Sequence, residues 1–164
     1  MKTLWLLRHA RTIDGLPGLA DRDRPLEARG EHDAVRMGTR WGRRFGRPDA
    51  IVASPALRAI TTARLVAERL GFPAAGIVVE PRLYDAGTDT LVALIEAFDD
   101  RWDRVMVVGH NPTLSDLARR LDPGIVSMQP CSLAEFAFEI ASWSDVDTAS
   151  PLRSRFDSPS HPDA

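Results

Sequence analysis

Apolar positions fall into two rhythms along this chain, and their order predicts the fold. Thr3–Leu7, Ala50–Ala53, Ile77–Val79 and Val105–Val108 are apolar runs of strand length; Thr3–Leu7 reads as a buried strand and Val105–Val108 is the most apolar. A helical period follows each of them. Val35, Gly38, Trp41 and Phe45 recur at three- and four-residue steps within Glu27–Phe45, although Gly30 weakens the start of that helix. Ser54-Pro55 suits a helix start, because serine accepts from first-turn amides and proline has no amide hydrogen to leave unpaired. The helix it opens carries Ile60, Ala63, Ala67 and Leu70 and stops at Gly71. Leu91, Leu94, Ile95, Phe98 and Trp102 mark a third helix, and Asn111-Pro112 opens a fourth with Leu114, Leu117, Ala118 and Leu121.

From Leu133 to Ile140 the rhythm changes, with Glu135 and Glu139 set against Ala134, Phe136, Phe138 and Ile140. That alternation predicts a half-exposed, antiparallel edge strand. Beyond Trp143 the chain is rich in Ser, Asp and Pro with little periodicity. Four strand-then-helix units define an α/β protein, a three-layer α/β/α sandwich on a mostly parallel sheet with one antiparallel edge strand. We expect a single domain over residues 1–156 and a frayed tail over 157–164.

Composition excludes more than it specifies. At 44% hydrophobic and 27% charged residues the chain is ordinary for a globular protein, and a net charge of −2 gives no support for nucleic-acid binding. Cys131 is the single cysteine, so no intramolecular disulfide forms and a reducing compartment is expected. Arg8 cuts the first apolar run too short for a secretion signal, and no run reaches membrane-spanning length. The expectation is a soluble, cytoplasmic protein without membrane or nucleic-acid partners.

Ligands in such sheets sit beyond the carboxyl ends of the strands. There the sequence places Arg8-His9, then Ser54 and Arg58, then Asp85, then Gly109-His110. Twenty of the 21 basic residues are arginine, so an arginine counts here only by position. Arg8 alone would more often be a salt-bridge partner, and His110 alone a core histidine; the set of five is harder to explain structurally. Two guanidinium forks suit phosphate oxygens, and helix N-termini add amide donors. A neutral imidazole can attack phosphorus while a second histidine donates to a phosphoryl oxygen. The chemistry that fits is phosphoryl transfer through a phosphohistidine, with no metal and no cofactor: two arginines repel a cation, and no Cys or His-x-x-x-His cluster is present. His32 and His161 read as exposed, Cys131 as a buried small residue, and the four tryptophans as packing.

Leu7-Arg8-His9-Ala10-Arg11-Thr12, Ser54-Pro55-Ala56-Leu57-Arg58-Ala59 and Val108-Gly109-His110-Asn111-Pro112 together resemble the three motifs of the histidine phosphatase (phosphoglycerate mutase-like) superfamily. Asp23-Arg24-Pro25-Leu26, Arg29-Gly30 and the closing Phe136–Trp143 segment look most like its SixA-type phosphohistidine phosphatase branch. The resemblance implies a phosphoglycerate mutase-like fold, His9 as nucleophile, and Arg8, Arg58 and His110 around the phosphoryl group. Thr12 would orient the loop or touch substrate, and Asn111 would cap a helix or touch substrate. The sequence departs from the family pattern twice. Ala10 stands where glycine is usual, a variant associated with the SixA-like branch. Asp85, in Leu83-Tyr84-Asp85, stands where many members carry a proton-donating glutamate, one methylene longer, and is the candidate acid; SixA-like proteins tend to lack a clear one. Little chain separates Leu70 from Leu91, and a strand must fit there, so no lid is expected. An open site implies a phosphohistidine on a partner protein; the alternatives are a small phosphoester, or phosphate recognition without catalysis.

Overall fold

The computed structural model describes residues 1–161, and its architecture grows from one central strand. β1 (Lys2–Arg8) sits in a six-stranded sheet with β2 (Ala50–Ala53), β3 (Val78–Val79), β4 (Arg104–Gly109), β5 (Leu133–Phe138) and β6 (Arg153–Asp157), in the order β3-β2-β4-β1-β5-β6. The β2–β3, β2–β4 and β1–β4 pairs are parallel; β1–β5 and β5–β6 are antiparallel.

Because successive side chains leave a strand on opposite faces, each central strand feeds two cores. Trp5, Leu7, Ile51, Ala53, Met106 and Val108 face α1 (Ala28–Arg44) and α2 (Leu57–Leu70). Leu4, Leu6, Ala50, Val52, Val105 and Val107 face α3 (Thr88–Glu96) and α4 (Thr113–Leu121). This is the expected three-layer α/β/α sandwich.

Four expectations need correction. Helices α2 and α4 begin three and two residues later than Ser54 and Asn111; Ser54 is held against the His110 ring, and Asn111 reaches the Ser115 amide of α4 from outside the helix. The third helix ends at Glu96, and Trp102 packs against the core from the following turn. Leu133–Phe138 is buried throughout and interior to the sheet; β6, unforeseen in the sequence, forms the antiparallel edge outside it. Glu135, only 3% exposed, accepts from Trp5 Nε1 at 2.8 Å and meets Arg153 and Arg155 of β6, so its charge is paired rather than solvated. The arginines of β6 also leave the sheet edge charged, which discourages strand addition.

The stretch expected to fray begins inside that strand. Asp157 is buried and accepts from Trp41 Nε1 at 2.9 Å and Arg40 at 2.8 Å, and Arg40 also holds the His161 carbonyl. Residues 162–164 lie outside the described residues.

After β1 the chain turns out in a long loop and returns to α1. The loop is closed by the Thr12–Leu26 bridge and by Ile13 and Glu27 amides donating to the Pro25 and Arg11 carbonyls. Gly30 permits this closure: a Cβ there would lie 2.2 Å from the Arg11 carbonyl oxygen. The glycine that weakens the helix by propensity is required by packing. Gly30→Ala should therefore destabilise the fold by about 1–3 kcal/mol, the usual cost of forcing extra volume into a packed site, as read from urea unfolding.

Candidate active site

Arg8 and His9 leave the end of β1, and Gly109 and His110 leave the end of β4. The parallel register pairs Arg8 with Gly109, and the His9 amide donates to the Gly109 carbonyl at 3.1 Å. Backbone pairing alone thus brings the two imidazoles together, with ring centroids 5.3 Å apart. Arg58, on the first turn of α2, completes a cleft of about 430 Å³ lined also by Arg8, Arg11, Thr12, Asp14, Arg24, Glu27, Asn111 and Pro130. A larger cavity, between Arg44, Phe45 and β6, holds none of these groups.

The hydrogen bonds fix how each ring presents itself. His9 Nδ1 lies 2.8 Å from the Ala10 carbonyl oxygen, which can only accept, so Nδ1 carries the hydrogen and Nε2 keeps a free lone pair. Ala10 is itself pinned, its amide donating to Thr62 Oγ1 at 3.0 Å, and its φ is not positive, so alanine fits here without strain. His110 Nε2 lies 2.7 Å from Ser54 Oγ, which also accepts from the Ala56 amide. The hydroxyl keeps its hydrogen and a second lone pair for the His110 ring, so this contact orients the imidazole in either tautomer.

Both histidines are neutral. Burial pushes His9 from its ordinary 6.5 down to about 3; the Ala10 contact opposes this, and the nearby charges of His110, Arg8 and Arg58 reinforce it. Burial first, then Arg58, lowers His110 to about 4. Arg8 is also lowered by burial, and its Nη1 donates to the Met128 carbonyl at 3.0 Å. Among the described residues, the buried side-chain nitrogens and oxygens without a partner are Arg8 Nε, Arg58 Nε, His110 Nδ1 and Ser132 Oγ. Three of these four are nitrogens of residues that line the cleft.

The remaining candidates separate. Thr12 lines the cleft and accepts from Arg24 at 3.0 Å. Asn111 spends its amide on the protein: Oδ1 accepts from the Ser115 amide and hydroxyl, and Nδ2 donates to the Met128 carbonyl at 2.8 Å, so its capping role is the one realised. Asp85 does not line the His9 cleft; it is exposed beside a smaller cavity of about 100 Å³ shared with Tyr84 and His110. Cys131 is buried, with its thiol pushed up by burial, and serves structurally by donating its amide to the Arg8 and His9 carbonyls. No cluster of His, Cys, Asp and Glu suited to a metal occurs among the described residues. Sequence reasoning missed Asp21, whose carboxylate meets Arg58, Tyr84 and Arg24; it sits in an alternating Asp-Arg run that reads as ordinary loop.

An imidazole with one free nitrogen, set among arginines at the carboxyl edge of a parallel sheet, has the groups that phosphoryl transfer needs. Residues 4–129 match the family model of the histidine phosphatase superfamily (branch 1), and the chain belongs to that family. It is thus an enzyme of the phosphatase class. An uncharacterized protein of Mycobacterium tuberculosis is 36% identical over 112 residues, 68% of this chain and 67% of that one. The fold is similar to a candidate phosphohistidine phosphatase SixA from Agrobacterium tumefaciens, with TM-score 0.77, 26% identity, and coverage of 96% and 98% of the two chains. It also matches the protein histidine phosphatase SixA complexed with tungstate, with TM-score 0.76, 21% identity, and coverage of 95% and 94%.

Asp85 and the two histidines each yield a test. Asp85→Asn should leave kcat/KM and its pH profile within about twofold of the parent, as expected of a surface substitution outside the cleft. Both rings stay neutral in the folded state while the unfolded chain binds protons below about pH 6.5. The unfolding free energy should therefore fall as pH drops from 6.5 toward 4. Urea titrations should show a shallower decline for His9→Gln/His110→Gln.

Proposed function

We propose that this enzyme removes the phosphoryl group from phosphohistidine on a partner protein, through a covalent intermediate on His9. The observation that carries this reading is the orientation of the His9 ring, whose hydrogen is committed to the Ala10 carbonyl while its other nitrogen is left free among Arg8, Arg58 and His110. An imidazole held neutral to about pH 3 is fully available as a nucleophile at cellular pH.

The steps balance without metal or cofactor. The lone pair of His9 Nε2 forms a bond to phosphorus as the substrate's P–N bond breaks, and the departing imidazole nitrogen takes a proton from water at the mouth. Because Nδ1 keeps its hydrogen on the Ala10 carbonyl, the intermediate is a phosphorylated imidazolium, which is a good leaving group. Water then attacks phosphorus, releasing inorganic phosphate and returning His9 to its neutral form. Arg8, Arg58 and His110 line the cleft and are the groups placed to hold the phosphoryl oxygens, and Thr12 borders it.

Two features support phosphohistidine as the substrate. Asp85 is off the cleft, and a phosphoramidate nitrogen needs an acid less than an alkoxide does. Between α2 and α3 the chain holds only short turns and the two-residue strand β3, with nothing long enough to close over a small molecule.

Incubation with a phosphorus-labelled phosphohistidine peptide, quenched in alkali, should place label on His9, and His9→Ala should abolish it. The peptide should be hydrolysed with a higher kcat/KM than p-nitrophenyl phosphate. Efficient turnover of small phosphoesters with an idle peptide would overturn the substrate assignment and favour a small-molecule phosphatase. Phosphate binding with no label on His9 would leave a recognition module.

A further inference from the structure

Arg58 does not face the cleft unaided. Its Nη1 donates to the Asp21 carbonyl oxygen at 2.7 Å and its Nη2 to Asp21 Oδ2 at 3.1 Å. The same Oδ2 accepts from the Tyr84 hydroxyl at 2.6 Å, while Oδ1 accepts from Arg24 Nε at 3.1 Å. Tyr84 in turn stands edge-on to the His110 ring, centroids 5.9 Å apart and planes at 90°, with the Arg22 guanidinium over it at 5.1 Å. One carboxylate therefore joins a guanidinium of the cup, a ring packed on the second histidine, and the loop that arches out after β1.

We propose that Asp21 is the positioning residue of this site: it sets the Arg58 guanidinium and, through Tyr84, the His110 ring in the orientation that receives the phosphoryl group. Asp21 does not line the His9 cleft, so it acts through these neighbours and not on the phosphoryl group itself. The proposal rests on the phosphatase reading of the cleft. An isolated exposed ion pair would contribute little. Here three donors converge on one side chain, and Tyr84 foremost, then Arg58, holds its carboxyl down to about 2, so the node stays ionised across the working range. With both Nη atoms anchored, Arg58 has already given up the rotamer freedom a long side chain would otherwise surrender on binding. The opposite arrangement is a carboxylate that occupies the fork as a competitor of the phosphoryl group, and its removal would tighten binding.

The test measures tungstate binding by calorimetry beside steady-state kinetics, for Asp21→Asn, Asp21→Ala, Asp21→Glu and Tyr84→Phe. Asp21→Asn retains the main-chain contact to Arg58 and nearly the same shape. It should weaken tungstate binding and lower kcat/KM by about tenfold to a hundredfold, the range expected when charge-assisted hydrogen bonds are lost, with the melting temperature unchanged. Asp21→Glu should recover part of the loss. Tyr84→Phe should add little on the Asp21→Asn background, because both act through one node. Unchanged or tighter tungstate binding by Asp21→Asn would overturn the proposal. Absence of label on His9 with every substrate would instead count against the phosphatase reading, since tungstate binding reports Arg58 placement without turnover.

Discussion

The site depends on the parallel ladder between β1 and β4. The register that sets Leu7 against Val108 and Arg8 against Gly109 is held by side chains alternating between two dry cores. A slip of one residue would carry Trp5 and Leu7 to the wrong face and separate the two histidines in the same movement. The catalytic geometry is therefore as secure as the core, since the same backbone hydrogen bonds serve both. The residues just past each strand are free to be polar because the packed layers end there. Arg8 and His110 sit at that boundary, where cations and rings retain access to solvent.

Charge is managed by exclusion. The cup gathers two guanidinium groups against a buried and a half-buried imidazole, and desolvation lowers the pKa of both rings. Two protonated histidines beside two arginines would repel each other, and the depressed values are the protein's answer to that cost. Two of the carboxylates nearby are paired: Asp21 with Tyr84, Arg58 and Arg24, and Asp14 with Arg24. Ser54 and Ala10, each a helix-start or loop residue by sequence, orient the two rings: the Ala10 carbonyl holds His9 Nδ1 and the Ser54 hydroxyl holds His110 Nε2.

Most of this is legible in the sequence where local periodicity and tertiary need agree. The strands β1, β2 and β4, the two-faced burial and the convergence of Arg8, His9, Arg58 and His110 all follow from apolar rhythm plus the rule that ligands sit at strand exits. The failures have separate causes. β6 is written Arg153-Ser154-Arg155-Phe156-Asp157, and its charges are explained only by Glu135 and Arg40 across the molecule. Glu135 reads as solvent-facing because alternation reports that one face differs, not that it is wet. Ser54 and Asn111 read as helix caps at the first turn; Asn111 does cap α4 through the Ser115 amide, whereas Ser54 is held against the His110 ring and α2 begins only at Leu57. Asp21 carries no signal at all, because its partners lie 37 and 63 residues away.

The loop from Ala10 to Leu26 shows why an open site can still be an ordered one. Enzymes that close over a substrate assemble part of their site on binding and spend binding energy doing so. Here the loop is already fastened, by the short bridge at Thr12 and Leu26, by the contact that Gly30 permits, and by the Asp21 node over Arg58. No segment between α2 and α3 is long enough to replace that fastening by closure. Order must then be built into the resting protein, and three independent attachments of one loop achieve this. The same attachments order the loop without any long segment between α2 and α3, the feature on which the proposed substrate class rests.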